Sequence, residues 1–140
     1  MTTKVVVNGT FDILHVGHIE LLRHAKTSYP DAFVYVLIDS DQRVRELKGP
    51  TRPINTKEER RTMLEALRYV DAVNSFNSDQ ELADIIRGFE PDVMVKGSDY
   101  KDKPIIGAEY CKEIYFYDRL EEFSTTQKIE VIKAQNDGYK

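Results

Sequence analysis

The 140-residue chain has a single cysteine, Cys111, which excludes an internal disulfide and a cysteine-based zinc site and suits a reducing compartment. It has no surplus of positive charge. Twenty lysines and arginines stand against 24 acidic residues, a formal net charge of −4. That balance draws the protein neither to nucleic acid nor to an anionic membrane, so any polyanion it binds must meet a local cluster of cations. No apolar run approaches the roughly 20 residues that span a bilayer, and there is no internal repeat or low-complexity segment. Because the first strand starts by Val5, no signal peptide is expected, and the expectation is a soluble, cytoplasmic protein. Histidine is scarce as well. Of three, two lie three residues apart, His15 and His18.

What is present is a regular alternation. The length is that of one domain, residues 1–140, with enough chain for a real core. Val5–Asn8 predicts a buried strand, and the segment from His18 to Tyr29 a helix stopped by Pro30. Phe33–Asp39 is apolar almost throughout, as in a strand covered on both faces. A short helix follows over Asp41–Leu47, then a Pro/Gly-rich loop over Lys48–Asn55. Thr56 with Glu59 forms a capping-box pattern for a helix running to about Arg68. Val70–Phe76 is a third strand. Ser78 caps a helix with Leu82, Ile85, Ile86 and Phe89 on one face, and Asp92–Lys96 is a fourth strand. After a polar loop over Gly97–Gly107 and a short helix near Ala108–Lys112 comes a fifth strand, Ile114–Tyr117. A last helix starts at Ser124-Thr125-Thr126, with Ile129 and Ile132 facing inward and a tail fraying from about Gln135. Such alternation calls for a Rossmann-like parallel five-stranded α/β sheet with helices on both faces. The loops after the strands then open together on the carboxyl edge, where these sheets bind ligands.

The most informative of those loops is the first. Val5-Val6-Val7 runs into Asn8-Gly9-Thr10-Phe11-Asp12, and His15-Val16-Gly17-His18 leads into an amphipathic segment. A strand, a glycine turn and a helix start make an anion site, because the first helical N–H groups lack carbonyl partners and carry the positive end of the dipole. Two readings of the histidines follow: shared ligands of a zinc ion that lacks a third ligand in the sequence, or two hydrogen-bond donors to a phosphate. The second is favoured. His24, on the helix body, is expected to be dispensable.

Gly-Thr-Phe-Asp followed by His-x-Gly-His resembles the signature of the cytidylyltransferase-like nucleotidyltransferase superfamily, in which the histidine motif meets the α-phosphate of a nucleoside triphosphate. Blocks over Leu47–Asn55, Val95–Lys101 and Ser124–Thr126, with Arg60, are similar to the bacterial heptose 1-phosphate adenylyltransferase domain. Gly-Thr-Phe-Asp itself, Arg68-Tyr69-Val70-Asp71 and Arg119 are similar to glycerol-3-phosphate cytidylyltransferase. The resemblance implies catalytic roles for His15, His18 and Lys48. It implies nucleotide contacts from Gly9, Thr10, Phe11, Asp12, Gly17, Arg60, Lys96, Gly97, Asp99, Arg119, Ser124, Thr125 and Thr126. Lys48, Arg52 and Arg68 become candidates for the acceptor phosphate. It further implies Mg²⁺ as cofactor, with no metal ligand from protein side chains, and a homodimer. The partners are a nucleoside triphosphate and a small sugar or polyol phosphate. The blocks placed to touch base and acceptor favour ATP with a heptose-like sugar 1-phosphate over CTP with glycerol 3-phosphate. A catalytically silent nucleotide-binding domain is the alternative of another class.

Overall fold

The computed structural model describes residues 2–118 and 125–137. In order it contains β1 (Thr3–Gly9), α1 (Val16–Thr27), β2 (Ala32–Asp39), α2 (Asp41–Lys48), α3 (Lys57–Glu65) and β3 (Ala72–Phe76). Then come α4 (Asp79–Phe89), β4 (Val93–Gly97), β5 (Glu113–Tyr117) and α5 (Thr125–Asp137), with 3-10 turns at Ser98–Tyr100 and Ala108–Tyr110. The five strands are all parallel, in the order β3-β2-β1-β4-β5. This is the Rossmann-like sheet that the alternation predicts.

Side-chain alternation along β1 divides the core. Val5 and Val7 pack with Leu22 and Ala25 of α1 and Leu64 of α3, while Val6 joins Leu82 and Ile86 of α4 on the opposite face. Both faces are therefore covered, which is why the central strands are apolar throughout rather than alternating. Among the described residues, no helix is long and apolar enough to cross a membrane.

The pairing of β1 defines where the sheet opens. With β2 it pairs continuously from Thr3 to Gly9, and β4 pairs with β5 from Val93 to Gly97. Between β1 and β4 only Val5–Val93 and Val6–Met94 are in register. Beyond them the two strands part, at the carboxyl edge and at the point where the strand order reverses. An opening there is the position at which doubly wound sheets bind ligands.

Several element boundaries differ from the expectations. The first helix begins at Val16 rather than His18, because His15 caps it. α3 ends at Glu65, not near Arg68, as Leu67, Tyr69 and Val70 turn back to pack on the core. β3 begins at Ala72 instead of Val70. Asp71 precedes it with its carboxylate accepting the Val34 N–H at 2.8 Å, a bond that replaces a strand ladder contact. Ile132, expected to face inward, is 57% exposed; among the described residues neither core cluster includes any from α5. That helix also continues past Gln135, to Asp137.

Candidate active site

The β1–β4 opening has two halves that share a floor. Asn8, Gly9, Lys96 and Tyr100 line both. One half, of about 130 Å³, adds Phe11, His15, Gly17, His18 and Asp99. The other, of about 210 Å³, adds Thr10, Asp39, Arg43, Lys48 and an apolar wall that includes Phe76, Leu82, Ile105 and Ile106.

In the first half the histidines are oriented by the backbone. The Gly17 N–H donates to His15 Nδ1 at 3.1 Å, and the His15 N–H donates to His18 Nδ1 at 3.3 Å. A backbone N–H is only ever a donor, so both Nδ1 atoms are lone-pair acceptors and each neutral ring carries its proton on Nε2. The two rings stack with centroids 3.8 Å apart, and Phe11 lies 5.1 Å from His18. Phe11 itself has φ +52°, a left-handed conformation that costs an aromatic residue about 1 kcal/mol or more. A side chain at Gly9 would place its Cβ 3.1 Å from that ring. The Gly-Thr-Phe turn is thus a strained support that holds one ring over the glycine and beside the histidines.

Two charged residues of the motif blocks support this loop from behind. Asp12 is buried, and its carboxylate accepts the N–H groups of Ile54 and Asn55, each at 2.8 Å. Asn55 returns a side-chain bond to the Asp12 carbonyl at 2.9 Å. Arg60, with a fully buried side chain, donates to the carbonyls of Asn55 at 3.1 Å and Thr10 at 2.9 Å and to Asp41 at 2.8 Å. Together they fasten the 49–55 loop and the start of α2 to the β1–α1 turn.

Lys96 stands at the junction of the halves. It is buried, with its ammonium 4.3 Å from the centroid of the Tyr100 ring. Burial pushes its pKa down from 10.5 to about 8, although Asp39 and Asp99 act in the other direction. In the second half, Asp39 accepts from Arg43 at 2.8 Å and from the Thr10 hydroxyl at 3.1 Å, and Arg43 also reaches Asp79. Lys48 is exposed at the end of α2.

The expected site residues are therefore only partly gathered. Gly9, Thr10, Phe11, His15, Gly17, His18, Lys48, Lys96, Gly97 and Asp99 line the opening. Asp12 and Arg60 are committed to the scaffold, and Arg52 is half-buried in the 49–55 loop outside both halves. Arg68 does not approach the site. It precedes β3, at the opposite edge of the sheet, and lies on the Tyr69 ring with its guanidinium donating to the hydroxyl at 3.1 Å. Thr125 and Thr126 open α5, whereas Arg119 and Ser124 lie outside the described residues. Asn8, Asp39, Arg43 and Tyr100 also line the opening, and sequence reasoning did not assign them. The signal that could have found Asn8 and Asp39 was a polar residue at or near the end of an otherwise apolar strand. Among the described residues, no group of three or more His, Cys, Asp and Glu side chains could hold a metal ion.

The same framework occurs in known proteins. The bifunctional protein HldE of Campylobacter fetus subsp. fetus (strain 82-40) is 44% identical over 132 residues, which are 94% of this chain and 28% of that protein. HldE of Sulfurimonas denitrificans is 44% identical over 130 residues, 93% of this chain and 27% of its own length. The chain thus spans little more than a quarter of these relatives. Among solved structures, the lipopolysaccharide core biosynthesis protein from Thermoplasma volcanium GSS1 superimposes with a TM-score of 0.65 at 22% identity, covering 83% of this chain and 97% of that one, a likeness of fold. The model of the family described as cytidylyltransferase-like matches residues 6–136, from within β1 to within α5. That match takes in every element around the opening, and the chain belongs to the cytidylyltransferase-like family of nucleotidyltransferases.

Proposed function

We propose that the protein transfers a nucleotidyl group from a nucleoside triphosphate to a small sugar phosphate and releases pyrophosphate. ATP with a heptose-like sugar 1-phosphate is the favoured pair. The observation that carries the reading is the pair of imidazoles at the start of α1, whose Nδ1 atoms are both engaged by backbone N–H groups. Each neutral ring then carries its N–H at Nε2, in a half-cleft at a helix N-terminus, where developing negative charge is best met.

In this reaction a phosphate oxygen of the acceptor bonds to the α-phosphorus while the bond to the bridging oxygen breaks, and the electron pair leaves with pyrophosphate. The acceptor oxygen is already a competent nucleophile, so no covalent enzyme intermediate is required. His15 and His18 would donate to the α-phosphate and the bridging oxygen as charge builds. Lys48 and the start of α5, with Ser124–Thr126 and Arg119, would hold the departing phosphates. Gly9, Gly17 and Gly97 would let phosphate or ribose approach the backbone, and Asp99 would read the nucleoside. Mg²⁺ would come with the triphosphate and neutralise part of its charge as the α-phosphorus is attacked.

The choice of ATP is supported by the HldE relatives and by the blocks Leu47–Asn55 and Val95–Lys101, which resemble the heptose 1-phosphate adenylyltransferase domain. Both blocks border the opening. The alternative, CTP with glycerol 3-phosphate, draws on Arg68 and Arg119, and Arg68 lies at the far edge of the sheet. A competition with equal ATP and CTP, offered a sugar 1-phosphate and glycerol 3-phosphate, decides the pair. A site built to pair with one base discriminates by roughly 10²-fold or more. Predominant CDP-linked product would overturn ATP while leaving the chemistry in place. A homodimer, the assembly implied by the resemblance, is checked by sedimentation.

A further inference from the structure

Two substrates that react must meet at a boundary, and the groups common to both halves of the opening are Asn8, Gly9, Lys96 and Tyr100. Lys96 is the one cation among them. Extending the register of Val5–Val93 and Val6–Met94 along the strands sets Asn8 opposite Lys96, where β1 and β4 have parted. Asn8 Oδ1 is buried without a hydrogen-bond partner, and Lys96 makes its one polar contact among the described residues with the face of Tyr100. A buried ammonium that Asp39 and Asp99 face but that forms no ion pair among the described residues, beside a buried amide oxygen without a donor, costs stability and persists where a ligand completes it.

We infer that Lys96 is the positioning residue for the acceptor, holding its attacking phosphate at the boundary of the half-clefts against the nucleotide α-phosphate. This rests on the proposed nucleotidyl transfer and adds to it the residue that brings two anions together. A dianionic phosphomonoester approaching a triphosphate meets strong repulsion. A desolvated cation against the acceptor phosphate offsets it more effectively than an exposed lysine such as Lys48, which water screens. The ligand recognised is therefore a phosphomonoester in the half-cleft with Thr10, Asp39 and Arg43. The titratable and charged groups facing Lys96 are Asp39 at the end of β2, Asp99 after β4, Lys48 and Arg43 from α2, and His15 and His18 at the start of α1.

The test compares wild type, Lys96→Met and Lys96→Arg in pyrophosphate release, in equilibrium binding of nucleotide alone, and in thermal melting with and without a sugar 1-phosphate. Lys96→Met should lose about 10²-fold or more in kcat/KM for the acceptor, with nucleotide affinity changed by less than about fivefold. Its melting temperature should equal or exceed that of wild type, which a merely structural lysine would not allow. Lys96→Arg should recover part of the activity and move the alkaline limb of the kcat/KM profile to higher pH, since arginine stays charged. An active wild type with Lys96→Met within about threefold of it, or a loss confined to nucleotide affinity, would overturn the assignment. Should wild type release no pyrophosphate with any pair, the transfer reading fails by itself. The phosphomonoester site is then judged by melting: a rise with sugar 1-phosphate in wild type that vanishes in Lys96→Met retains it, and no rise refutes it.

Discussion

His15 has two separable duties, and two substitutions distinguish them. Its Nδ1 accepts the Gly17 N–H at 3.1 Å and caps α1, while its Nε2 carries the proton that the proposed function directs to substrate. His15→Ala removes both. Loss of the cap costs about 1 kcal/mol, and loss of the ring stacked 3.8 Å from His18 costs a further ~0.5–1 kcal/mol. At this chain length that lowers the melting temperature by roughly 5 °C. His15→Asn restores an acceptor of cap geometry, since asparagine is among the best N-cap residues, and should recover about 1 kcal/mol of that loss. It does not restore a donor at the Nε2 position. Both variants should therefore lose kcat by about 10²–10³-fold, equal to roughly 3–4 kcal/mol of transition-state stabilisation, although their stabilities differ. Thermal melting and steady-state pyrophosphate release on the same preparations supply both quantities. If His15→Asn kept more than about a tenth of wild-type kcat, the donor role would be refuted and His15 would be a cap alone.

The scaffold, the segment from Arg45 to Arg52 and the alkaline range supply further checks. Arg60→Met removes three hydrogen bonds from a fully buried guanidinium, and chemical denaturation should show a loss of about 3 kcal/mol, with Arg60→Lys recovering little because it cannot reach three partners. Tryptic cleavage after Arg45 and Lys48 should slow when triphosphate and Mg²⁺ are added; unchanged cleavage at saturating nucleotide would place this segment outside the site. Lys96 titrates near 8 in the folded protein against 10.5 ordinarily, so between those values the unfolded chain holds the additional proton. Stability from this group therefore rises as pH increases from about 8 to 10.5, by up to ~3 kcal/mol, and denaturation of wild type against Lys96→Met should show the difference closing across that window.

The fold was legible because its signals are local. Apolar runs such as Phe33–Asp39 and capping patterns such as Thr56 with Glu59 report on short stretches, and parallel order follows from their alternation. The turn between β1 and α1 was legible for the same reason. The start of α1 was not, since histidine is an uncommon N-cap and its role depends on which ring nitrogen meets the Gly17 N–H. Asp12 and Arg60 were read toward the nucleotide because their partners, Ile54, Asn55, Thr10 and Asp41, lie on other segments and become visible only when the chain is folded. Arg68 was misplaced by the same limit: sequence gives the neighbour, Tyr69, but not the edge of the sheet on which both sit. Lys96 was legible as a cation at a strand end. Its position at the parting of β1 and β4 depends on register, which no local pattern records.

The most direct measurement of the central claim is pyrophosphate release by the purified protein given ATP, Mg²⁺ and a sugar 1-phosphate, run beside His18→Ala and His24→Ala. His18 faces the half-cleft, whereas His24 lies away from it, stacked 4.2 Å from Tyr115 on β5. Acceptor-dependent release by wild type and by His24→Ala, falling about 10²-fold or more in His18→Ala with little change in nucleotide KM, is the outcome the account predicts. Release that survives in His18→Ala, or a wild-type protein that binds nucleotide yet releases none with any sugar or polyol phosphate, would contradict it.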